Sequence, residues 1–212
     1  MKVAIVAIFS TLIILILGIA LVSATNNSST SSVQQSPQSQ SGDMSGHHQA
    51  APSDSSAFNA LLNKEAPDFT LSDISGKSVH LKDLRGKKVV LFFTEGIMCY
   101  PACWNQIAAM GKDVKLNTSN VVSLSITVDQ PSDWQQALKQ MPDLASGTIL
   151  TDTSRTVSSQ YGVLALPSSM HKGQFPGHTY LIVDEKGIVR YEFDDPQMGV
   201  RDDQLIQELG KI

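Results

Sequence analysis

Hydrophobic and polar residues alternate with two different periods along residues 58–212. Short apolar runs predict buried strands, and polar turns separate them from stretches with helical periodicity. Strands that alternate with helices, followed by an antiparallel hairpin and a final helix, predict an α/β fold with a mixed sheet and helices on both faces. The predicted strands are 69–71, 79–81, 89–94, 121–128, 148–151, 179–184 and 188–193. The predicted helices are 101–116, 131–140, 154–161 and 203–209.

The beginning of the chain has a different pattern. Residues 3–24 are almost entirely apolar and carry no charge, so a helix over them would be about 33 Å long, enough to cross a bilayer core. This predicts a single-pass transmembrane anchor. The small residues of Val22-Ser23-Ala24 keep a cleaved signal peptide open as the alternative. Since Lys2 precedes the apolar run, we expect the rest of the chain on the extracytoplasmic side of the cell membrane, or secreted after cleavage.

Residues 25–57 are rich in Ser and Gln and nearly lack aliphatic side chains, which predicts a disordered linker. The folded domain is then residues 58–212, a usual size for one domain. The net charge of the chain is −4, and no stripe of Lys and Arg follows any predicted element. These features argue against nucleic acid as a partner.

The chain has two cysteines, Cys99 and Cys103, placed between the strand 89–94 and the helix that follows. A helix start lowers the pKa of a nearby thiol, and positions four apart share a helix face. We therefore expect both sulfur atoms to converge on one solvent-exposed point, with the helix start stabilising the Cys99 thiolate. Three uses stay open: a dithiol/disulfide redox pair, a soft-metal site, or a structural disulfide, which stabilises little because its loop is short.

Several motifs resemble the redoxin branch of the thioredoxin-like superfamily, the alkyl hydroperoxide reductase/thiol-specific antioxidant group. The resemblance covers about residues 62–212 and implies a thioredoxin-like three-layer sandwich. Its motifs are Ala66-Pro67-Asp68-Phe69-Thr70-Leu71, the segment 76–87, the strand 89–93, Tyr161-Gly162-Val163 and the segment 179–187. The threonine that typical peroxiredoxins carry three residues before the reactive cysteine is absent, because Thr94 lies five residues before Cys99.

The redox interpretation predicts an antioxidant oxidoreductase without a cofactor. Cys99 attacks a protein disulfide or a peroxide, and Cys103 resolves the product into an intramolecular disulfide. An external thiol donor then regenerates the pair. A peroxide reaction passes through a sulfenic acid on Cys99.

The spacing of three residues between the cysteines also resembles the Sco-type copper-delivery proteins. This resemblance implies copper bound by Cys99, Cys103 and a histidine from the loop before a later strand, for which His178 is the candidate. His171 is a second candidate for that role. Two further weak copper ligands are proposed, a Met98 thioether and the Met44, His47 and His48 group of the linker.

Three other residues are expected to support the site. Pro176 lies just before the strand 179–184, where thioredoxin-like proteins often have a cis proline. Glu95 is either a proton acceptor near Cys103 or an exposed turn carboxylate. Trp104 follows the second cysteine and is expected to pack in the core or shield the site.

Overall fold

The computed structural model describes residues 52–212, which form seven strands, five α-helices and four short 3-10 turns. The strands are β1 Thr70–Asp73, β2 Ser78–His80, β3 Lys88–Phe93, β4 Val121–Thr127, β5 Ile149–Thr151, β6 Thr179–Val183 and β7 Val189–Asp194. The α-helices are α1 Ser56–Asn59, α2 Ala102–Lys112, α3 Pro131–Gln140, α4 Thr156–Gln160 and α5 Asp202–Leu209. The 3-10 turns are Leu81–Leu84, Gly96–Met98, Pro142–Ser146 and Val163–Ala165.

All seven strands form one mixed sheet in the order β2-β1-β5-β4-β3-β6-β7. The central strands β3, β4 and β5 are parallel, and β6 runs antiparallel to β3. The outer pairs β1–β2 and β6–β7 are antiparallel hairpins, as the sequence predicts.

Strand β3 shows why the fold has three layers. Its residues alternate between two separate cores: Val89, Leu91 and Phe93 enter one, while Val90 and Phe92 enter the other. Because successive side chains of a strand point to opposite faces, a strand buried on both faces needs apolar residues throughout. Helices α1 and α4 cover the first face, and α2, α3 and α5 cover the second. The predicted thioredoxin-like α/β sandwich is therefore confirmed.

The register of the sheet brings three loops to one edge. Phe93 at the end of β3 pairs with Thr179 at the start of β6, and Thr179 pairs with Asp194 at the end of β7. The segment with the cysteines, the loop that leads to His178, and the connection to α5 therefore all leave or enter the sheet at this point.

The predicted helices and strands are present with bounds that differ by a few residues, except that the helix predicted over 101–116 ends at Lys112. Helix α1 has no counterpart among the predicted elements, and Asp54 already donates its backbone N–H to Ala165 O at 2.9 Å. Within residues 52–212 no helix has the length and apolar character needed to span a bilayer. The predicted anchor 1–24 and the linker up to residue 51 lie outside the described residues.

Candidate active site

The two cysteines form a disulfide, with their Cα atoms 5.3 Å apart. The backbone between them explains why they meet. Cys103 N–H, in α2, donates to Cys99 O at 2.9 Å. This is the hydrogen bond between residues four apart that an α-helix makes, so it places Cys99 directly beneath Cys103 in the turn that leads into α2. The predicted convergence of the two sulfur atoms is confirmed.

The predicted solvent exposure of the sulfur atoms is wrong for this disulfide form. Cys99 is 4 % exposed and Cys103 is fully buried. Both belong to the core between the sheet and helices α2, α3 and α5, where they pack with Phe92, Trp104 and other apolar side chains. The neighbours of Cys99 in the chain, Met98 and Tyr100, are the exposed residues of the loop instead.

The helix start is also closer to the other cysteine than predicted. Cys103 is the second residue of α2, whereas Cys99 lies at the end of the 3-10 turn Gly96–Met98, outside the helix. The positive end of the helix dipole therefore favours a thiolate on Cys103 more directly than on Cys99. Cys99 is thus on a loop, whereas Cys103 is part of a helix.

His178 is fully buried and lies against the disulfide, with its Nδ1 atom 3.5 Å from Cys103 Sγ. Its Nε2 atom is 3.1 Å from Gly199 O, which can accept a hydrogen bond from a protonated Nε2. The Tyr180 hydroxyl lies 2.8 Å from the same nitrogen and completes this network. Burial lowers the pKa of His178 to about 4, more than the bond to Gly199 O raises it. At neutral pH the ring is therefore uncharged, and its Nδ1 atom faces the sulfur of Cys103.

A strap of seven residues, Asp195–Arg201, crosses over the disulfide. Its Met198 has a left-handed backbone, with φ at 51°, and its Sδ atom lies 3.9 Å from Cys99 Sγ. Arg201 holds the strap by two bonds to the buried Asp195 carboxylate, at 2.7 and 2.8 Å. Burial opposes ionisation of Asp195, but the bonds from Arg201 and from the Gly199 and Gln197 N–H groups lower its pKa overall.

The loop before Cys99 is fixed by a half-buried acid, Asp129. The Asp129 carboxylate accepts hydrogen bonds from Ile97 N–H at 2.9 Å and from the Thr127 hydroxyl. Burial raises the pKa of Asp129. Gly96 has φ at 65°, and a Cβ there would collide with Asp129 and Thr127. Thr94 is buried and its hydroxyl accepts a bond from Gly96 N–H at 3.1 Å, so it too holds this loop.

Glu95 differs from both predicted roles. It is fully buried, so it is not an exposed turn carboxylate, and its hydrogen-bond partners lie in the segment 169–171 rather than at Cys103. Its Oε1 atom accepts from Met170 N–H and His171 N–H, and its Oε2 atom is 3.4 Å from His171 Nδ1. Glu95 thus ties the active-site loop to the loop that leads to His178, and His171 pairs with Glu95 rather than with a sulfur.

Pro176 is buried but is not a cis proline. Within residues 52–212 the single cis peptide bond is Tyr100–Pro101, between the two cysteines. The adjacent Gly177 is needed for a close approach, because a Cβ there would collide with Ser168 and Ser169. Pro176 and Gly177 therefore bring His178 to the site through packing of this loop.

Trp104 packs in the core as predicted, at 3 % exposure, and it also borders a cleft beside the loop. The cleft has a volume of about 460 Å³ and lies between α2 and α3. Its walls next to the cysteines are Ile97, Tyr100 and Trp104, with Ala137 on the opposite side. The polar side chains of Asp133, Gln136 and Gln140 complete its lining.

Comparison with known proteins identifies the family. The model of the AhpC/TSA family matches residues 62–192. The chain belongs to the AhpC/TSA family. Among its relatives, a protein described as putative peroxiredoxin bcp of Coxiella burnetii is 33% identical over 132 residues, which is 60% of this chain and 84% of the relative. Peroxiredoxin Bcp of Escherichia coli strain K12 is 30% identical, over 61% of this chain and 83% of its own length.

Solved structures agree on the fold. AhpC of Enterococcus faecalis superimposes with a TM-score of 0.61 at 18% identity, over 71% of this chain and 91% of that one. Peroxidoxin BcpB of Mycobacterium tuberculosis gives a TM-score of 0.59 at 21% identity, over 72% and 97%. With its family membership, the chain is a thiol-dependent oxidoreductase, as the sequence predicts.

Proposed function

We propose that this protein reduces peroxides through Cys99 and Cys103. The Cys99 thiolate attacks one peroxide oxygen, the O–O bond breaks, and the alcohol or water leaves after taking up a proton. The resulting sulfenic acid condenses with Cys103, forming the disulfide and releasing water. A dithiol donor then returns two electrons and two protons. The observation that carries this proposal is the Cys99–Cys103 disulfide in a member of a family whose relatives are described as peroxiredoxins.

His178 is proposed to assist the second of these steps. In the reduced protein its unprotonated Nδ1 atom accepts the proton of the Cys103 thiol as this sulfur attacks the sulfenic acid. The 3.5 Å separation from Cys103 Sγ and the bond from Nε2 to Gly199 O support this role. The histidine is thus paired with the resolving cysteine, not with the attacking one.

Reaction with peroxide requires Cys99 to become accessible. Cys99 lies outside α2, next to exposed residues, and its sulfur is covered by the Met198 thioether. We therefore propose that the loop 96–100 shifts away from the strap to admit substrate, while Cys103 stays in its helix. This shift would have to break the hydrogen bond from Ile97 N–H to Asp129 and expose the buried Cys99.

The cellular setting remains part of the proposal. The apolar residues 3–24, with Lys2 before them, support attachment to the cell membrane with the folded domain on the extracytoplasmic side. The copper-delivery alternative is not favoured as the main function, because the relatives are described as peroxiredoxins.

Peroxide consumption by the full-length chain, with dithiothreitol as electron donor, tests the proposed function. The wild type is expected to consume hydrogen peroxide or cumene hydroperoxide over many turnovers, and Cys99→Ser is expected to fall to the background rate. If Cys99→Ser kept the wild-type rate, or the wild type showed no peroxidase activity with either peroxide, the proposed function would be wrong.

A further inference from the structure

Two groups lie beside the Nε2 atom of His178, and they favour different positions of the ring proton. Gly199 O, at 3.1 Å, can only accept a hydrogen bond, so it favours a proton on Nε2. The Tyr180 hydroxyl, at 2.8 Å, can also donate to Nε2, and the proton of a neutral ring is then on Nδ1. With Gly199 O in place, this hydroxyl can donate to the carbonyl instead, at 3.4 Å. The position of Gly199 O therefore decides between the two tautomers.

The tautomer of His178 determines what the ring can do at Cys103. Nδ1 lies 3.5 Å from Cys103 Sγ. When the proton is on Nε2, the lone pair of Nδ1 faces the sulfur and can take the proton of the Cys103 thiol. When the proton is on Nδ1, the ring can only donate towards the sulfur, so it cannot act as its base. Resolution by Cys103 with histidine as base therefore depends on Gly199 O.

The Asp195 carboxylate holds the other side of the Gly199 residue. Asp195 is 1 % exposed, and its Oδ2 atom accepts from Gly199 N–H at 3.0 Å and from Arg201 Nε at 2.7 Å. Its Oδ1 atom accepts from Gln197 N–H at 3.1 Å and from Arg201 Nη2 at 2.8 Å. The guanidinium also packs against Gly199, because a Cβ there would lie 3.2 Å from Arg201 Cζ. Gly199 is thus held by its N–H group while its carbonyl meets the histidine.

Both ends of the strap Asp195–Arg201 are bonded to segments that carry site residues. At one end, Asp195 N–H donates to His178 O at 2.9 Å. At the other end, Arg201 N–H donates at 2.7 Å to the side chain of Gln106, a fully buried residue of α2. Gln106 lies three residues after Cys103 in that helix. These bonds set the position of the strap relative to both His178 and Cys103, as the supporting shell of a preorganised site does.

We propose that Asp195 is a positioning residue for the resolving step. It holds Gly199 so that the carbonyl keeps the proton of His178 on Nε2. The Cys103 thiol then passes its proton to Nδ1 as its sulfur displaces hydroxide from the sulfenic acid, and the hydroxide takes up a proton and leaves as water. Without Asp195, the Tyr180 hydroxyl donates to Nε2 and the ring proton moves to Nδ1. The kinetic part of this inference rests on the proposed peroxide reduction, whereas the tautomer of His178 does not.

The ring nitrogens of the wild type test the tautomer without any variant. The full-length chain is labelled with ¹⁵N and studied by NMR in its disulfide form at pH 7. Burial lowers the pKa of His178 to about 4, so the ring is neutral at this pH. The ¹⁵N chemical shifts show which nitrogen is protonated, and the loss of signals in His178→Gln assigns them. We expect the proton on Nε2. A proton on Nδ1 would overturn the proposal, whether or not the protein reduces peroxides.

Asp195→Ala tests the hold on Gly199, with Asp184→Ala as the matched control. Asp184 also accepts from two backbone N–H groups and from an arginine, Arg190, but it follows the end of β6, whereas His178 precedes its start. Both variants are expected to lose unfolding free energy in urea. Only Asp195→Ala is expected to show the Nδ1 tautomer by NMR. The wild-type tautomer in a folded Asp195→Ala would overturn the proposal.

Single-turnover kinetics test the consequence for the reaction. Asp195→Ala is expected to slow resolution about tenfold and to keep the rate of the first reaction with peroxide, while Asp184→Ala keeps both rates. Because Asp195 acts through the histidine, the double variant Asp195→Ala/His178→Gln is expected to resolve as fast as His178→Gln. About another tenfold slowing in the double variant would show a different role for Asp195 and overturn the proposal. Absence of peroxidase activity in the wild type would refute the proposed function instead, and the NMR experiment would still decide the tautomer.

Discussion

The two cysteines of this site are bonded to each other but are held in opposite ways. Cys103 is in the first turn of α2, fully buried, with a histidine against its sulfur. Cys99 lies on a loop between exposed residues and is covered by one thioether from the strap Asp195–Arg201. The difference underlies our proposal that Cys99 attacks after its loop moves and that Cys103 resolves in place, with His178 as its base.

The largest expected effect comes from the cysteines themselves. Cys103→Ser, unlike Cys99→Ser, is expected to react with peroxide once and then stop as a sulfenic acid, because the attacking sulfur is intact and the resolving sulfur is absent. Mass spectrometry after dimedone trapping measures the product. If Cys103→Ser, treated with peroxide in the absence of any thiol donor, gave no trapped sulfenic acid on Cys99, the division of roles between the two cysteines would be wrong.

The next largest effect is expected for His178→Gln, which keeps a hydrogen-bonding side chain but removes the base. Resolution of the sulfenic acid is expected to slow about 100-fold, while the first reaction with peroxide keeps its rate. Stopped-flow tryptophan fluorescence separates the two phases, since Trp104 follows Cys103 directly. His171→Gln is the control, because that ring pairs with Glu95 instead. If His178→Gln slowed only the first phase, the reaction with peroxide, the histidine would assist Cys99 rather than Cys103.

Gly96→Ala tests the anchoring of the Cys99 loop. The alanine methyl would collide with Asp129 and Thr127 at a left-handed backbone position, so the variant is expected to lose about 1–3 kcal/mol of unfolding free energy. Urea unfolding measures this loss. Gly173→Ala is the control, because its φ is also positive, at 82°, but a Cβ there meets no atom within 4 Å. If both variants lost the same unfolding free energy, the loss would come from the left-handed backbone conformation alone and not from the collision with Asp129 and Thr127.

Met198→Ala tests the cover over Cys99. Removing the thioether is expected to increase the rate at which dithiothreitol reduces the disulfide severalfold, because the sulfur of Cys99 becomes easier to reach. Thiol release followed with Ellman's reagent, after removal of dithiothreitol, measures the rate. Met170→Ala, an exposed methionine outside the strap, is expected to keep the wild-type rate.

The smallest expected effect is a pH dependence of the unfolding free energy that is caused by Asp129. Its folded-state pKa is raised by burial, so its contribution to stability is complete below the ordinary pKa of 3.8 and is lost as pH rises through the higher folded value. The unfolding free energy of the wild type relative to Asp129→Asn is therefore expected to fall between pH 4 and pH 7. Urea unfolding of both proteins at the two pH values measures it, and a constant difference would contradict the raised pKa.

The fold could be predicted from sequence because its central signals are local. The apolar run of β3 indicates a strand covered on both faces, and the turn at Glu185-Lys186-Gly187 indicates the hairpin of β6 and β7. Helix α1 was missed because its four residues are too few for a periodic pattern.

The site was only partly predictable. The spacing of Cys99 and Cys103 and the place of His178 before a strand identify three residues that the fold brings together. The burial of Glu95 and the contact between Met198 and Cys99 depend on loops that are distant in sequence. No local sequence pattern can therefore predict them. The same holds for exposure of the sulfur atoms, because the strap that covers them follows Cys99 by almost a hundred residues.

The roles of Cys99 as attacking and Cys103 as resolving cysteine can be tested in one reaction. One equivalent of hydrogen peroxide is added to the fully reduced chain, and the products are identified by peptide mapping. We expect the wild type to lose both thiols and form the Cys99–Cys103 disulfide, and Cys103→Ser to give a trapped sulfenic acid on Cys99. A sulfenic acid on Cys103 in Cys99→Ser, formed as fast as the wild-type disulfide, would contradict these roles.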